Sequence, residues 1–184
     1  MDNISLAKLV GLDTRPLNYK EGIVSGLGGF FGIAAVYLVS SAFFSTDSTK
    51  IIIVASMGSS AVLLFAAPLS KLTQPWNVLG GHLISAIIGI TCAKYISSEV
   101  IAAAAAVGLS ISAMHYTRCI HPPAGATTLF AVIGGERVHS LEYSFLLTPL
   151  LINVIVIIII AIIFNCLFAW RRYPSCLACK KSEN

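Results

Sequence analysis

Charged residues divide the chain into six charge-free runs, at positions 22 to 46, 51 to 70, 72 to 93, 100 to 117, 119 to 135 and 143 to 170. A helix needs roughly 20 apolar residues to cross the hydrocarbon core of a bilayer. The first, third and last runs meet that length without interruption. The second contains "ASMGSSA" and the fifth "HPPAGATT", and beyond each insertion only about 8 to 10 apolar residues follow unbroken, half of a crossing. The pattern predicts an all-α membrane protein of about six transmembrane segments, two of them broken or half helices.

Composition agrees. The chain has 184 residues, 57% hydrophobic and 11% charged, with a mean hydropathy of +0.86; a soluble domain carries roughly 25% charged residues. Residues 1 to 21 are polar with both charge signs, and the apolar run that follows is too long for a signal-peptide core, so the first helix is expected to stay as an anchor. This divides the chain into a cytoplasmic segment 1–21, a transmembrane domain 22–170 and a cytoplasmic tail 171–184.

Six passes from a cytoplasmic start leave Lys8, Arg15, Lys20, Lys71, Arg118, Arg171, Arg172, Lys180 and Lys181 inside, against Lys50, Lys94 and Arg137 outside. Nine against three is the bias of the positive-inside rule. Both termini are therefore expected on the cytoplasmic side of the cell's inner (plasma) membrane. The net charge of +4 reads as a topology signal, and no nucleic-acid partner is drawn from it.

Five cysteines, an odd number spread over helices and tail, are not a disulfide framework. "CLAC", Cys176 to Cys179, has the gap of a metal or redox pair but no second pair to complete four ligands. No metal and no cofactor are expected. Paired carboxylates, a P-loop and a nucleophile motif are absent from the sequence, so an enzyme is not expected either.

Small residues recur at four-residue spacing, Gly22 with Gly26, Gly28 with Gly32, and Gly81 with Ser85 and Gly89. Such faces let helix backbones approach closely in lipid. "MGSSAVLLFA" (57–66) and "PAGATTLFAV" (123–132) also share a pattern, aligning Gly58, Ser59 and Ser60 with Gly125, Ala126 and Thr127. Each is the middle pass of a three-pass set, and an odd number of passes inverts the second set relative to the first. The arrangement is that of an inverted 3+3 repeat of the transporter kind, although so short a match of common residues can equally arise by chance.

Backbone broken within lipid is tolerated only against protein or a water-filled cavity. Ser56 to Ser60 read as a polar lead-in to a helix at 61–67 that Pro68 ends, and His121 to Pro123 as the lead-in to a helix at 124–132, with Pro122 and Pro123 suited to a helix start. Two helix starts meeting would offer unpaired N–H groups to an anion. Ser59, Ser60, Thr127 and Thr128 would add hydroxyl donors. Arg118 is either a further positive charge for that anion or a topology charge at the interface. His121 is either a donor to an anion or proton, or a helix cap. His82 and His115 could line the same cavity or bond a neighbouring carbonyl. Gln74, Asn77 and His82 are costly in lipid unless paired, and Trp76 suits a headgroup anchor.

"SMGSSAVLLFAAP" (56–68), "QPWNVLGGHLISAIIG" (74–89) and "TRCIHPPAGATTL" (117–129) together resemble the HPP family of small integral membrane proteins, whose His-Pro-Pro signature is His121, Pro122 and Pro123 here. The resemblance covers most of residues 20 to 170; Lys71 departs from the pattern, and the CLAC tail lies outside it. Family members in photosynthetic organisms are associated with nitrite transport. The resemblance therefore implies an anion carrier or channel, with Gly58, Ser59, Ser60, Asn77, His82, Arg118, His121, Gly125, Thr127 and Thr128 as its substrate-binding residues.

The expectation is thus a transporter or channel for a small monovalent anion, nitrite foremost, held at the N-termini of two broken helices in a homo-oligomer within the lipid bilayer. Two alternatives stand beside it. One is a membrane redox or cofactor-binding protein with His82, His115 and His121 as ligands, and the other is a helper subunit whose broken helices pack against a partner.

Overall fold

The computed structural model describes Val10, residues 18 to 43 and residues 47 to 177. Among these the fold is helical without strands. Helix α1 is Tyr19–Phe43, α2 Asp47–Ala66, α3 Pro75–Tyr95, α4 Glu99–Tyr116, α5 Ala124–Ile133, α6 the short turn Glu136–His139, and α7 Ile152–Cys166. A π-helical stretch, Leu146–Leu151, leads into α7, with Thr148 in an extended conformation before Pro149.

Four segments are long and apolar enough to span a bilayer: Tyr19–Ala42, Pro75–Tyr95, Glu99–Tyr116 and Leu146–Cys166. Shorter apolar helices are Ser56–Ala66, which is part of α2, and Ala124–Ile133. Many of their large side chains, such as Phe30, Leu38, Val62, Ile101, Ile111 and Ile163, are exposed. That is the surface a bilayer covers, and the polar residues Ser60, His82, Thr127 and Asn153 are buried instead.

One of the two expected breaks is absent. Helix α2 runs unbroken from Asp47 to Ala66, so Ser56 to Ser60 do not start a helix. The physical reason is local: Ser59 donates its hydroxyl back to the Ser56 carbonyl at 2.9 Å, and Ser60 Oγ lies 3.3 Å from the same oxygen. Bonding of that kind satisfies the hydroxyls inside a helix without interrupting it.

The other break is real. Helix α5 has 10 residues, about 15 Å of rise, half of the hydrocarbon thickness. It runs in the same direction as α3: a Cβ at Gly81 would meet Ala124 and one at Gly89 would meet Ala131 and the Thr128 backbone. The glycine stripe thus sets this close approach, as Gly28 and Gly32 do for α1, where an added Cβ would strike the Phe65 ring of α2.

Helix α4 ends in a Schellman motif, with Cys119 N–H donating to Met114 O (2.9 Å) and Arg118 N–H to His115 O (3.2 Å). The left-handed position of that motif is Arg118, φ 56°. The segment that follows is tied to α3 by Trp76 Nε1 donating to Thr117 O (3.2 Å) and Asn77 Nδ2 donating to Ile120 O (3.0 Å). Two cross-braces fix α7: Ser40 of α1 donates to Asn153 Oδ1 (2.9 Å), and Asn165 Nδ2 donates to the Leu64 carbonyl of α2 (3.2 Å).

The helix contacts carry the repeat. Helix α1 packs on α2 and α7, and α4 on α5 and α3; α3 packs on α5 as α7 packs on α2; α2 meets α5, and α3 meets α7. Exchanging α1, α2 and α3 for α4, α5 and α7 leaves this set of contacts unchanged. The sequence match between 57–66 and 123–132 therefore falls on helices in equivalent places.

At one end of the bundle Arg171 is buried, 1% exposed, with its Nε 3.1 Å from Glu21 Oε1 and its Nη2 donating to Ser25 Oγ (3.0 Å) and to the Phe65 carbonyl. Burial lowers its pKa and Glu21 raises it. The charge count places Arg171 with the cytoplasmic-side topology charges; packing draws it under α1 and α2. At the other end Lys94 pairs with Glu142 at 2.9 Å. Lys8, Arg15, Lys180, Lys181 and Cys179 lie outside the described residues.

Candidate functional site

Four of the polar residues that the bundle buries, Ser60, His82, His121 and Thr127, form one continuous chain of hydrogen bonds. Thr127 Oγ1 of α5 lies 2.7 Å from His82 Nδ1 of α3. His82 Nε2 lies 3.0 Å from Ser60 Oγ of α2. The same oxygen lies 3.0 Å from His121 Nε2, and His121 Nδ1 lies 2.8 Å from the Leu72 carbonyl. The imidazole rings are 5.1 Å apart between centroids at 63°. Ser60, His82 and His121 have no exposed surface and Thr127 has 1%.

Depth follows from the helices. Ser60 is about 9 Å from the end of α2 and His82 about 10 Å from the start of α3. The chain therefore lies roughly a third of the way into a core of about 30 Å.

The Leu72 carbonyl decides where the protons are. It only accepts, so His121 Nδ1 carries a hydrogen, and in the neutral ring Nε2 is then an acceptor. Ser60 has a single hydrogen to give, and giving it to His121 leaves its oxygen to accept from His82 Nε2–H. His82 Nδ1 then accepts from the Thr127 hydroxyl. No carboxylate is among these partners, and an unpaired buried charge is costly, so both rings rest neutral, as opposite tautomers.

The loop that presents Leu72 is stapled in place. Ser70 caps its turn, accepting from Leu72 N–H at 3.2 Å. Thr73 Oγ1 donates to the Ser70 carbonyl (2.8 Å), Gln74 Nε2 donates to the same oxygen (2.8 Å), and Tyr173 donates its hydroxyl to Thr73 O (2.8 Å).

Of the residues singled out from sequence, Ser60, His82, His121 and Thr127 come together. Thr128 sits one position further on, donating to Ser110 Oγ of α4 (3.0 Å). Asn77 holds the lead-in to His121 by its bond to Ile120 O. Gly58 and Gly125 are half-buried, with nothing within 4 Å of an added Cβ. Ser59 is exposed and bonded to its own helix, and Arg118 is exposed at the α4 cap.

The paired-helix anion site is corrected on two counts. Helix α2 has no start at Ser56 to Ser60. The first amides of α5 are already bonded, Ala124 N–H to His121 O (2.9 Å), Gly125 to Pro122 O (3.0 Å) and Ala126 to Pro123 O (3.1 Å). What meets here is side chains rather than helix ends.

Among the described residues no three His, Cys, Asp or Glu side chains group as a metal site requires. His115 is exposed near the end of α4, away from the buried pair. Sequence reasoning missed the Leu72 carbonyl, which no side-chain pattern signals, and Ser110, whose one clue is that it is a hydroxyl in an otherwise alanine-rich helix.

The family model of the HPP transmembrane region matches residues 14–174. Two curated transmembrane proteins of Dictyostelium discoideum are similar to this chain. One is 34% identical over 154 residues, covering 82% of this chain and 49% of the relative. The other is 33% identical over 170 residues, covering 89% and 59%. The chain thus spans about half the length of these relatives. No solved structure matches it. The His-Pro-Pro motif that supplies half of the buried pair lies inside the matched region, and the chain belongs to the HPP family of transmembrane proteins.

Proposed function

We propose that the chain is a transporter for a small monovalent anion, with nitrite the leading substrate. The observation that carries this reading is the convergence of His82 and His121 on Ser60 at membrane depth, beside the half helix α5. Ionisable residues inside a membrane are expensive and mark substrate or proton pathways. Paired with hydroxyls and free of carboxylates, this pair suits an anion once it gains positive charge.

The geometry favours a carrier over an open channel. A pocket of about 130 Å³ lies at the Lys94–Glu142 end, between α3 and α5, and one of about 310 Å³ at the Arg171 end, bordered by Pro68, Ser70 and Trp170. The histidines lie between them with no exposed surface. Access from either side then requires helix movement, for which the symmetric halves are suited. On this reading the Arg171 end faces the cytoplasm, in keeping with the excess of Lys and Arg.

Purified protein in liposomes should carry nitrite above the rate of protein-free vesicles, tested beside nitrate, chloride and formate. Equal rates with and without protein for every ion would remove the transport reading.

A further inference from the structure

We propose that the His82–Ser60–His121 unit is the binding site of a proton that travels with the anion, one proton for each anion. The inference rests on the transport reading above and adds its coupling. At rest every hydrogen in the unit points the same way, from Thr127 through His82 and Ser60 to His121 and the Leu72 carbonyl.

Such a chain accepts a proton at its Thr127 end without any heavy atom moving far. The incoming proton binds Thr127 Oγ1, and the original Thr127 hydrogen passes to His82 Nδ1. The hydrogen on His82 Nε2 passes to Ser60, and the Ser60 hydrogen passes to His121 Nε2. One proton has entered, none has left, and His121 is an imidazolium still bonded to Leu72 O. His82 now donates to Thr127 from Nδ1 and accepts from Ser60 at Nε2. The three bonds among Thr127, His82, Ser60 and His121 persist with their direction reversed, and His121 Nδ1–H still donates to the Leu72 carbonyl.

Two consequences make the loaded state an anion site. The hydroxyl hydrogen of Thr127 no longer points at His82 and becomes a donor to a ligand. The unit also carries one positive charge in a place without a carboxylate partner, which a monovalent anion balances. A second proton would put like charges on rings 5.1 Å apart, which disfavours it strongly at low dielectric.

Neighbouring ionisable groups do not supply that counter-charge. Glu21 is held by Arg171 and by Trp170 Nε1, and Glu142 by Lys94. Tyr173 gives its hydroxyl to Thr73 O. Cys119, on the segment before α5, is bonded to Thr117 Oγ1 at 3.0 Å. Lys71 and Arg118 are exposed at the Arg171 end.

The test uses full-length protein in liposomes containing a trapped pH indicator, with the membrane potential set by potassium and valinomycin. Nitrite uptake should be driven by an alkaline interior, be indifferent to potential, and bring in one proton per nitrite. Uptake that follows potential and ignores the pH gradient overturns the proton site while leaving anion transport intact; no uptake removes the transport reading and the coupling with it.

Side-chain nitrogen NMR of histidine-labelled protein in bilayers provides a readout that does not depend on flux. It should show His82 protonated at Nε2, His121 at Nδ1, and a single shared protonation as pH falls. Ser60→Ala should abolish the sharing and slow pH-driven uptake about tenfold or more, the scale of an unsatisfied buried polar group; Ser60→Thr, which keeps the hydroxyl, should restore both. Two independent histidine titrations, unchanged by Ser60→Ala, overturn the proposal.

Discussion

Ser60 and Thr127 hold the two opposite nitrogens of one imidazole, His82, at 3.0 and 2.7 Å. They are also the positions that align between the two halves of the chain. The repeat therefore meets itself at His82, with one hydroxyl contributed by each half.

That relationship makes Thr127 a sharper test than its neighbours. Thr127→Val keeps the shape of the side chain and removes the hydroxyl, leaving His82 Nδ1 without its partner. Uptake should fall about tenfold or more, whereas Thr127→Ser should retain it. Parallel measurement of thermal unfolding in detergent separates a folding defect from a transport defect.

Gly81 and Gly125 should behave oppositely when replaced by alanine. A Cβ at Gly81 would lie 2.8 Å from His121 Cβ and 3.1 Å from the Cys119 carbonyl. Gly81→Ala should destabilise by about 1–3 kcal/mol and stop uptake by displacing His121. At Gly125 a Cβ meets nothing within 4 Å, so Gly125→Ala should be neutral or stabilising by up to about 1 kcal/mol. Melting temperature and uptake of the two variants, side by side, check both.

Arg118 is exposed and occupies the left-handed position that ends α4. Arg118→Gln should leave the rate of nitrite uptake unchanged, and Arg118→Gly should stabilise by about 1 kcal/mol, since only glycine holds that conformation without cost. A marked loss of uptake in Arg118→Gln, with normal insertion, would return this residue to the substrate path.

Ser40→Ala removes the hydroxyl that Asn153 Oδ1 accepts from, and Asn153 Nδ2 has no hydrogen-bond partner among the described residues. The variant should lose about 1–3 kcal/mol of stability. Its uptake per folded molecule should match the parent protein, because α1 takes no part in the histidine chain.

Legibility varied with how local each cause was. Run length and the paired prolines announced α5 as a half helix, because a proline acts on the backbone within a turn of itself. The expected break at Ser56 to Ser60 failed because a serine can bond its own helix, and sequence does not say which acceptor it takes. The choice between Ser59 and Ser60 was equally closed: adjacent helix positions differ by about 100°, and only the neighbours of α2 decide that Ser60 faces His82 while Ser59 faces outward.

Arg171 and Leu72 show the same limit from two sides. A charge just beyond the last apolar run reads as solvent-facing, yet α1 and α2 close over Arg171. A leucine reads as packing, yet its carbonyl sets the direction of every hydrogen in the buried chain.

By itself the sequence determined that this is a helical membrane protein, where its helices run, that the segment after the paired prolines is a half helix, and which family it resembles, because those follow from apolar length, proline and motif spacing along the chain; that the other middle pass is continuous only the structure decided. Tertiary structure decided that two histidines and two hydroxyls from α2, α3, α5 and the segment before it form one hydrogen-bonded unit. Partnership between residues that far apart depends on helix rotation and approach, which packing sets.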